Sequence, residues 1–175
     1  QAAENSNYYG LQGYLVTILS EEENQISAEQ VGGAGWIGAS DQGIEGEWNW
    51  VTGPEGLENG GTGLPFWVGL GLELGGAPVN GMYSNWNNDP YEPNQSGDED
   101  YAHITDDSIG LVGSWNDLTN TGANSGPYQP KGYVVEYGGM PGDPELNLSS
   151  STSLSAPPTV TIEPFVGVDC ALISI

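Results

Sequence analysis

The feature that most constrains this chain is its charge. Aspartate and glutamate number 24, whereas lysine and arginine together number 1, so the formal net charge is -23 at pH 7. Carboxylates in such excess repel one another in a compact state unless cations neutralise them. The same charge repels polyanions, which excludes nucleic acid as a partner. We therefore expect bound metal cations to be part of the folded state.

Composition indicates a globular chain and a hard metal. Apolar residues make up 37% of the 175 residues and include six tryptophans, which suits one compact domain with a tail. The single cysteine, Cys170, excludes an internal disulfide framework, and no cysteine or histidine cluster could hold zinc. A bound metal would therefore have oxygen ligands. The most apolar stretch, residues 165–175, is too short to span a bilayer, so we expect no membrane insertion.

Local patterns predict a capped helix among short strands. Ser20 followed by Glu23 forms a capping-box signature, which opens a helix that Gly32 and Gly33 would close. Residues 1–11 are interpreted as the end of another helix. Apolar and β-rich runs predict strands at residues 13–19, 35–39, 47–51, 101–104, 112–115 and 132–137.

Composition also divides the chain. We expect a domain over residues 1–140, a Pro/Ser/Thr-rich linker over 141–158, and a strand-like tail or the start of a following module over 159–175. Within the domain, residues 55–82 form a glycine-rich insertion that is either functional or a surface ornament. The first residue is glutamine and no signal-peptide pattern follows, so the chain is interpreted as a mature or excised piece.

Oxygen donors are concentrated in two places. Residues 83–100 are crowded with asparagine, aspartate and proline, which predicts a loop that something other than an apolar core must hold. The donors that stand out in this loop and in Trp115-Asn116-Asp117 are three carboxylates and two amides: Glu92, Asn94, Glu99, Asn116 and Asp117. Such an all-oxygen set suits Ca²⁺, which takes six to eight oxygen ligands.

The order of the motifs resembles the C-type lectin domain. Trp36-Ile37-Gly38, Glu92-Pro93-Asn94 and Trp115-Asn116-Asp117 follow one another as they do in that family, and the resemblance runs over about residues 13–137. It implies an α+β fold with short helices, two small antiparallel sheets and a long calcium-stabilised loop region.

The resemblance also implies a ligand set and a sugar class. The residues that would hold the sugar-binding calcium are Glu92, Asn94, Glu99, Asn116 and Asp117, of which Glu92, Asn94, Glu99 and Asn116 would also bind sugar hydroxyls. Glu-Pro-Asn is the family pattern associated with mannose, glucose, N-acetylglucosamine and fucose. A cis peptide bond before Pro93 is implied as well.

A second calcium is implied at Asp41, Glu45, Glu99 and Asp100. Gln95 stands where a further ligand of that site is usually acidic, which is a departure from the family. The family's disulfide cysteines are also absent, with Tyr101 and Val135 in two of their places, so calcium and aromatic packing would hold the long loop. The family's first strand would precede Gln1, and residues 159–175 could complete the terminal strand pair.

Single residues also have a simpler interpretation as core. Trp36, Trp48, Trp50 and Trp115 lie in strand-like runs and are expected in the core, whereas Trp67 and Trp86 are ambiguous. His103 is expected to be structural rather than catalytic.

The first functional hypothesis is a calcium-dependent lectin module. It would bind mannose-, glucose- or fucose-type glycans on cell surfaces, as part of a larger multi-module protein that is extracellular or at a bacterial cell surface, such as an adhesin. The alternative is a lectin-like module whose calcium is structural and whose partner is a protein, a peptide or an ice surface. We expect no enzymatic activity, because metal-bound carboxylates are held ionised whereas a general acid needs a raised pKa.

Overall fold

The structure is a computed structural model, and it describes residues 1–94, 96–145 and 169–173. The strands are β1 (Asn7–Tyr8), β2 (Leu11–Leu15), β3 (Gly35–Ser40), β4 (Glu47–Trp50), β5 (Leu64–Val68), β6 (Ala77–Pro78), β7 (Tyr101–Ile104), β8 (Trp115–Leu118), β9 (Gly132–Tyr137) and β10 (Asp169–Ile173). The α-helices are α1 (Glu21–Gln30) and the single turn α2 (Glu58–Gly61), and short 3₁₀ turns lie at Ala3–Asn5, Glu55–Leu57, Leu72–Leu74 and Val79–Gly81. No helix among these residues is long and apolar enough to cross a membrane.

The strands form one connected sheet. Its main path is β1-β2-β9-β3-β4-β5-β6, while β7 branches from β3 and pairs with β8. β3 joins the two parts, since its first residues pair with β7 and β9 and its last residues pair with β4. The α+β class with short helices is confirmed, and the two small sheets that were expected are joined through β3.

The helix α1 begins at the predicted cap. Ser20 accepts a hydrogen bond from the backbone N–H of Glu23 at 3.2 Å, and the Glu23 carboxylate accepts one from the N–H of Leu19 at 2.6 Å. These contacts satisfy N–H groups at the start of the helix that have no partner within it. The helix packs on the domain through Asn24, whose side-chain amide donates to the carbonyl of Gly113 at 3.0 Å.

A cluster of aromatic rings forms the centre of the core. Trp48, Trp50, Phe66 and Trp115 are fully buried, and Trp67 and Trp86 are also buried. Trp50 stacks on Phe66 with ring centroids 4.7 Å apart, and the ring of Trp48 contacts that of Trp86 at 4.8 Å. Trp67 and Trp86, which were ambiguous in the sequence, therefore belong to the core. Trp36 lies at its margin, being half-buried.

Two sequence predictions of elements were wrong. Residues 1–11 do not end a helix; Ala3–Asn5 is a 3₁₀ turn, and β1 then pairs with β2 around Tyr9 and Gly10, both of which have positive φ. The strand predicted at 112–115 begins only at Trp115, because Gly113 has a φ of +82° and turns the chain.

Part of the predicted tail forms a strand. β10 pairs in parallel with β9, from Asp169 beside Tyr133 to Ile173 beside Tyr137. The remainder of the tail and the linker residues 146–158 lie outside the described residues.

Candidate functional site

The loop that contains Glu92 is fixed directly to β8. The N–H of Trp115 donates to the carbonyl of Asn85 at 2.8 Å, and the N–H of Asn87 donates to the carbonyl of Trp115 at 2.8 Å. The N–H of Glu92 then donates to the carbonyl of Asn87 at 2.9 Å. The ring of Trp86 packs against that of Trp115 between these bonds, with centroids 5.8 Å apart. Backbone bonds and aromatic packing thus bring Glu92 beside Asn116 and Asp117.

The insertion at residues 55–82 supports the same loop from behind. The N–H of Gly71 donates to the carbonyl of Pro93 at 2.9 Å, and a Cβ atom at position 71 would lie 2.9 Å from the carbonyl oxygen of Glu92. Only glycine permits this approach without displacing the loop. The peptide bond between Glu92 and Pro93 is cis, as the resemblance implied.

Glu92 lies at the centre of the polar cluster. Asn94 Nδ2 donates to Glu92 Oε2 at 2.7 Å, and Asn116 Nδ2 donates to Glu92 Oε1 at 2.8 Å. The backbone N–H of Asn94 donates to Asp117 Oδ1 at 3.3 Å. Glu99 accepts from the N–H of Ser96 at 3.1 Å and lines the same cavity as Glu92, Asn94 and Asp117. All five predicted residues therefore lie in one cluster.

The carboxylates of this cluster are costly to ionise together. Glu92 is only 2% exposed. Burial first, and then the adjacent Asp117 and Glu99, raise the pKa of Glu92 far above its usual range, although the bond from Asn94 opposes this. Burial and the charge of Asp117 also raise the pKa of Glu99. Positive charge at this place would remove the repulsion.

The donor atoms fit a hard cation. Asn116 Oδ1 is buried and has no hydrogen-bond partner, and its amide nitrogen already faces Glu92. Among the residues that the structure describes, no three carboxylate, imidazole or thiolate side chains are gathered as a metal-binding group. A cation here would therefore need the amide oxygens of Asn94 and Asn116 as well as carboxylates, which suits calcium better than a softer metal.

The cluster opens into a cavity of about 330 Å³. Its lining residues are Pro90, Glu92, Asn94, Ser96, Glu99, Asp117, Leu118, Ala123 and Tyr128. Tyr128 was not among the residues predicted from the sequence. The only signal that could have drawn attention to it is an aromatic residue directly after the turn-forming pair Gly126-Pro127, in a loop without apolar periodicity.

The second predicted calcium set is also near the cluster. The N–H of Asp41 donates to the carbonyl of Asp100 at 3.3 Å, and Asp41 Oδ2 accepts from the N–H of Gly46 at 2.9 Å. Asp41 Oδ1 is buried without a hydrogen-bond partner. Burial, together with Glu45, Asp100 and Asp117, raises the pKa of Asp41 to about 6. Occupancy of this set stays a prediction.

Comparison with known proteins gives one relative and several solved structures. No family model matches the chain. Halomucin of Haloquadratum walsbyi (strain DSM 16790 / HBSQ001) is 39% identical over 154 residues, which cover 87% of this chain. The chain spans about 1% of the length of that relative.

The similar solved structures include three lectin domains. The cow C-type carbohydrate-recognition domain of CD23, in the presence of GlcNAc2Man3 oligosaccharide, is 29% identical with a TM-score of 0.39 and covers 61% of this chain and 59% of that one. The mouse scavenger receptor C-type lectin domain is 23% identical with a TM-score of 0.39, over 65% and 84% of the two chains. The C-type lectin CEL-I from Cucumaria echinata is 19% identical with a TM-score of 0.41, over 67% and 69%. The structural neighbours of this chain are thus C-type lectin carbohydrate-recognition domains, the family whose motifs its sequence resembles.

Proposed function

We propose that this domain binds neutral carbohydrates through a calcium ion held by the Glu92 cluster. The observation that supports this most directly is Asn116 Oδ1, a buried oxygen without a partner on a side chain whose amide nitrogen donates to Glu92. Carboxylates so close together favour a divalent cation, and the mixture of amide and carboxylate oxygens favours calcium. The proposed ligands are Glu92, Asn94, Glu99, Asn116 and Asp117.

The same residues have spare capacity for sugar hydroxyls. A side-chain amide has two N–H donors, and Asn94 and Asn116 each use one of them on Glu92. The second donor of each amide can reach a hydroxyl oxygen, while Glu92 and Glu99 can accept hydroxyl protons. When bound, calcium would take two adjacent sugar hydroxyls as ligands and make them better donors. Glu92-Pro93-Asn94 supports mannose, glucose or fucose as the sugar.

A second candidate function is supported by the surface of the insertion. Leu72 and Leu74 are 59% and 53% exposed, although they lie beside Gly71, which is bonded to Pro93. Such an apolar surface suits a protein or peptide partner, with calcium acting only to hold the loop. Against this reading, no described residue of the insertion is among those that line the cavity, so the sugar site is left open.

An extracellular location agrees with both functions. Extracellular calcium reaches the millimolar range in which exposed sites of modest affinity are occupied. A single open sugar site binds weakly, and many modules in one protein would raise the overall affinity. We propose that the domain is one module of a larger protein outside the cell.

Calorimetric titration tests the proposal. Methyl α-mannoside and fucose are titrated into the calcium-loaded protein and again after EDTA. We expect heat of binding only with calcium. Sugar binding that survives EDTA would contradict the mechanism, whereas calcium binding without any sugar binding would favour the protein or peptide partner.

A further inference from the structure

Tyr128 forms a wall of the cavity that the calcium cluster does not explain. It lines the cavity together with Ala123, on the loop between β8 and β9, whereas Glu92 and Asn94 belong to the loop before β7. Because Tyr128 is half-buried, part of its ring surface is available for contact with a ligand in the cavity.

The backbone holds Tyr128 in place. The N–H of Ala123 donates to the carbonyl of Tyr128 at 3.2 Å, and the N–H of Gln129 donates to the carbonyl of Gly126 at 3.1 Å. Gly126 has a φ of +82°, a conformation that favours glycine. The loop is therefore closed on itself by its own hydrogen bonds.

The ring of Tyr128 is also supported from the interior. It meets the ring of His103 edge-on, with centroids 6.3 Å apart and an interplanar angle of 89°. His103 is 1% exposed and meets Trp36 in the same geometry at 6.3 Å. The tyrosine thus rests on a buried layer, and a ligand would not have to immobilise a mobile side chain.

The charged side chains that line the cavity with Tyr128 are all acidic among the described residues. Burial, and the carboxylates of Glu92 and Glu99, raise the pKa of Tyr128, so its hydroxyl stays neutral. The one basic side chain of the protein, Lys131, donates to Gln129 and is not among the residues that line the cavity. Among the described residues that line the cavity, the charged side chains are all carboxylates, which would repel a carboxylate or sulfate on a sugar.

We propose that Tyr128 is a specificity-determining residue that packs its ring against the C–H face of the bound sugar and favours neutral pyranoses. This inference rests on the proposed function, since the sugar is placed by the calcium cluster. A pyranose has polar hydroxyls at its edge and apolar C–H groups on its faces. A sugar whose hydroxyls meet the cation can therefore present C–H groups to the aromatic wall.

The test combines affinity with a local signal. Methyl α-mannoside is titrated into the calcium-loaded wild-type protein and into Tyr128→Ala, Tyr128→Leu and Tyr128→Phe, with calcium affinity measured in each. We expect the alanine and leucine variants to lose about five- to tenfold in sugar affinity and the phenylalanine variant less than about twofold. Calcium affinity should stay unchanged. In proton NMR, the C–H protons of the sugar should shift upfield when it binds the wild-type protein, and this shift should be absent with Tyr128→Leu.

Controls separate this inference from the proposed function. Tyr9→Ala removes a tyrosine that is 76% exposed and does not line the cavity, and it should bind sugar as the wild type does. Equal sugar affinity in the wild type and Tyr128→Leu would overturn the inference, as would an equal loss in Tyr128→Phe and Tyr128→Leu. A wild-type protein that binds calcium but no sugar would instead overturn the proposed function.

Discussion

Two neighbouring parts of β8, which we call its aromatic side and its polar side, solve opposite problems. In the first, Trp115 packs within a cluster of aromatic rings, where burial itself supplies the stabilisation. In the second, Asn116 and Asp117 meet Glu92, where burial is unfavourable because like charges approach and one oxygen has no partner. The aromatic side is complete as an apolar core, whereas the polar side would be relieved of its repulsion by the cation that we propose.

This difference explains how one strand could serve both stability and the binding that we propose. The rings fix the backbone of β8 and, through Trp86, that of the loop before Glu92. The polar side chains are then held close together although they repel one another. A rigid support of this kind lets the protein keep an unfavourable cluster ready for a ligand. Substitutions on the two sides should therefore respond differently to calcium.

The largest effect is expected in the aromatic core. Trp115→Phe removes part of a fully buried ring and leaves Asn24 Oδ1 without the indole donor that it accepts from at 2.7 Å. We expect the free energy of unfolding to fall by about 3 kcal/mol. Urea unfolding should give the same loss in calcium and in EDTA. Trp36→Phe, at a half-buried position, should cost about 1 kcal/mol. If the loss of unfolding free energy in Trp115→Phe depended strongly on calcium, the aromatic and polar sides would not contribute to stability independently.

On the polar side, the effect of a substitution on protein stability should change sign between calcium and EDTA. Glu92→Gln removes a proposed ligand, so calcium affinity should fall by about 30-fold or more. In EDTA at pH 8, the same variant should be more stable than the wild type by about 1 kcal/mol, because folding opposes ionisation of the buried Glu92 carboxyl beside Asp117 and Glu99, whereas glutamine carries no such cost. Thermal unfolding with and without calcium measures both effects. The exposed Glu47→Gln should change neither, and a Glu92→Gln protein that is less stable in EDTA would show that the apo cluster is not strained.

Much of the core and the convergence of the five oxygen donors were predictable from sequence because their signals are local, whereas their role as calcium ligands stays a prediction. The capping box of α1, the alternating β4 and the apolar β7 all form where the patterns placed them. The five clustered donors were predicted from the order of two short motifs. Their convergence depends on hydrogen bonds within 85–94 and to β8, which short motifs encode well.

The unusual turns and the contacts between distant segments could not be predicted in the same way. Val112 suggested a strand, but it is exposed because the chain turns at Gly113. Tyr9 adopts a positive φ, which cannot be predicted from its residue type because tyrosine rarely adopts this conformation. Tyr128 reaches the cavity only because its loop folds back between β8 and β9. These features depend on backbone conformations that ordinary residues rarely adopt, or on contacts between distant segments.

The pH dependence offers a third way to compare regions, because a buried carboxylate also lies away from the cluster. Glu136 on β9 accepts from the N–H of Thr17, and Tyr14, Glu55 and Glu23 also face it. Burial raises the pKa of Glu136 from 4.5 to about 7. A raised carboxyl pKa gives stability that is complete below pH 4.5 and is lost as the pH rises through about 7.

We expect Glu136→Gln to flatten this dependence. In EDTA, the stability of the wild type should fall relative to the variant by on the order of 2 kcal/mol between pH 4.5 and pH 7.5. Melting temperatures across that range measure the difference between the wild type and the variant, which isolates Glu136 from the carboxylates of the Glu92 cluster. The exposed Glu29→Gln should follow the wild-type curve. Parallel curves for wild type and Glu136→Gln would show that this carboxyl titrates normally.

The smallest effect should show to which side the insertion belongs. Its Phe66 and Trp67 are part of the aromatic core, yet Gly71 bonds to Pro93 at the proposed site. In Gly71→Ala, the added Cβ would lie 2.9 Å from the carbonyl oxygen of Glu92, so the loop must shift by a few tenths of an ångström. We expect calcium affinity to fall about three- to tenfold, and the free energy of unfolding in EDTA to fall by about 1 kcal/mol, because the added Cβ meets backbone atoms. Gly32→Ala, where a Cβ meets nothing within 4 Å, is the matched control. A loss of stability without a loss of calcium affinity would place the insertion with the core alone. The contact of Gly71 with the backbone of Glu92 and Pro93 would then have no role in binding.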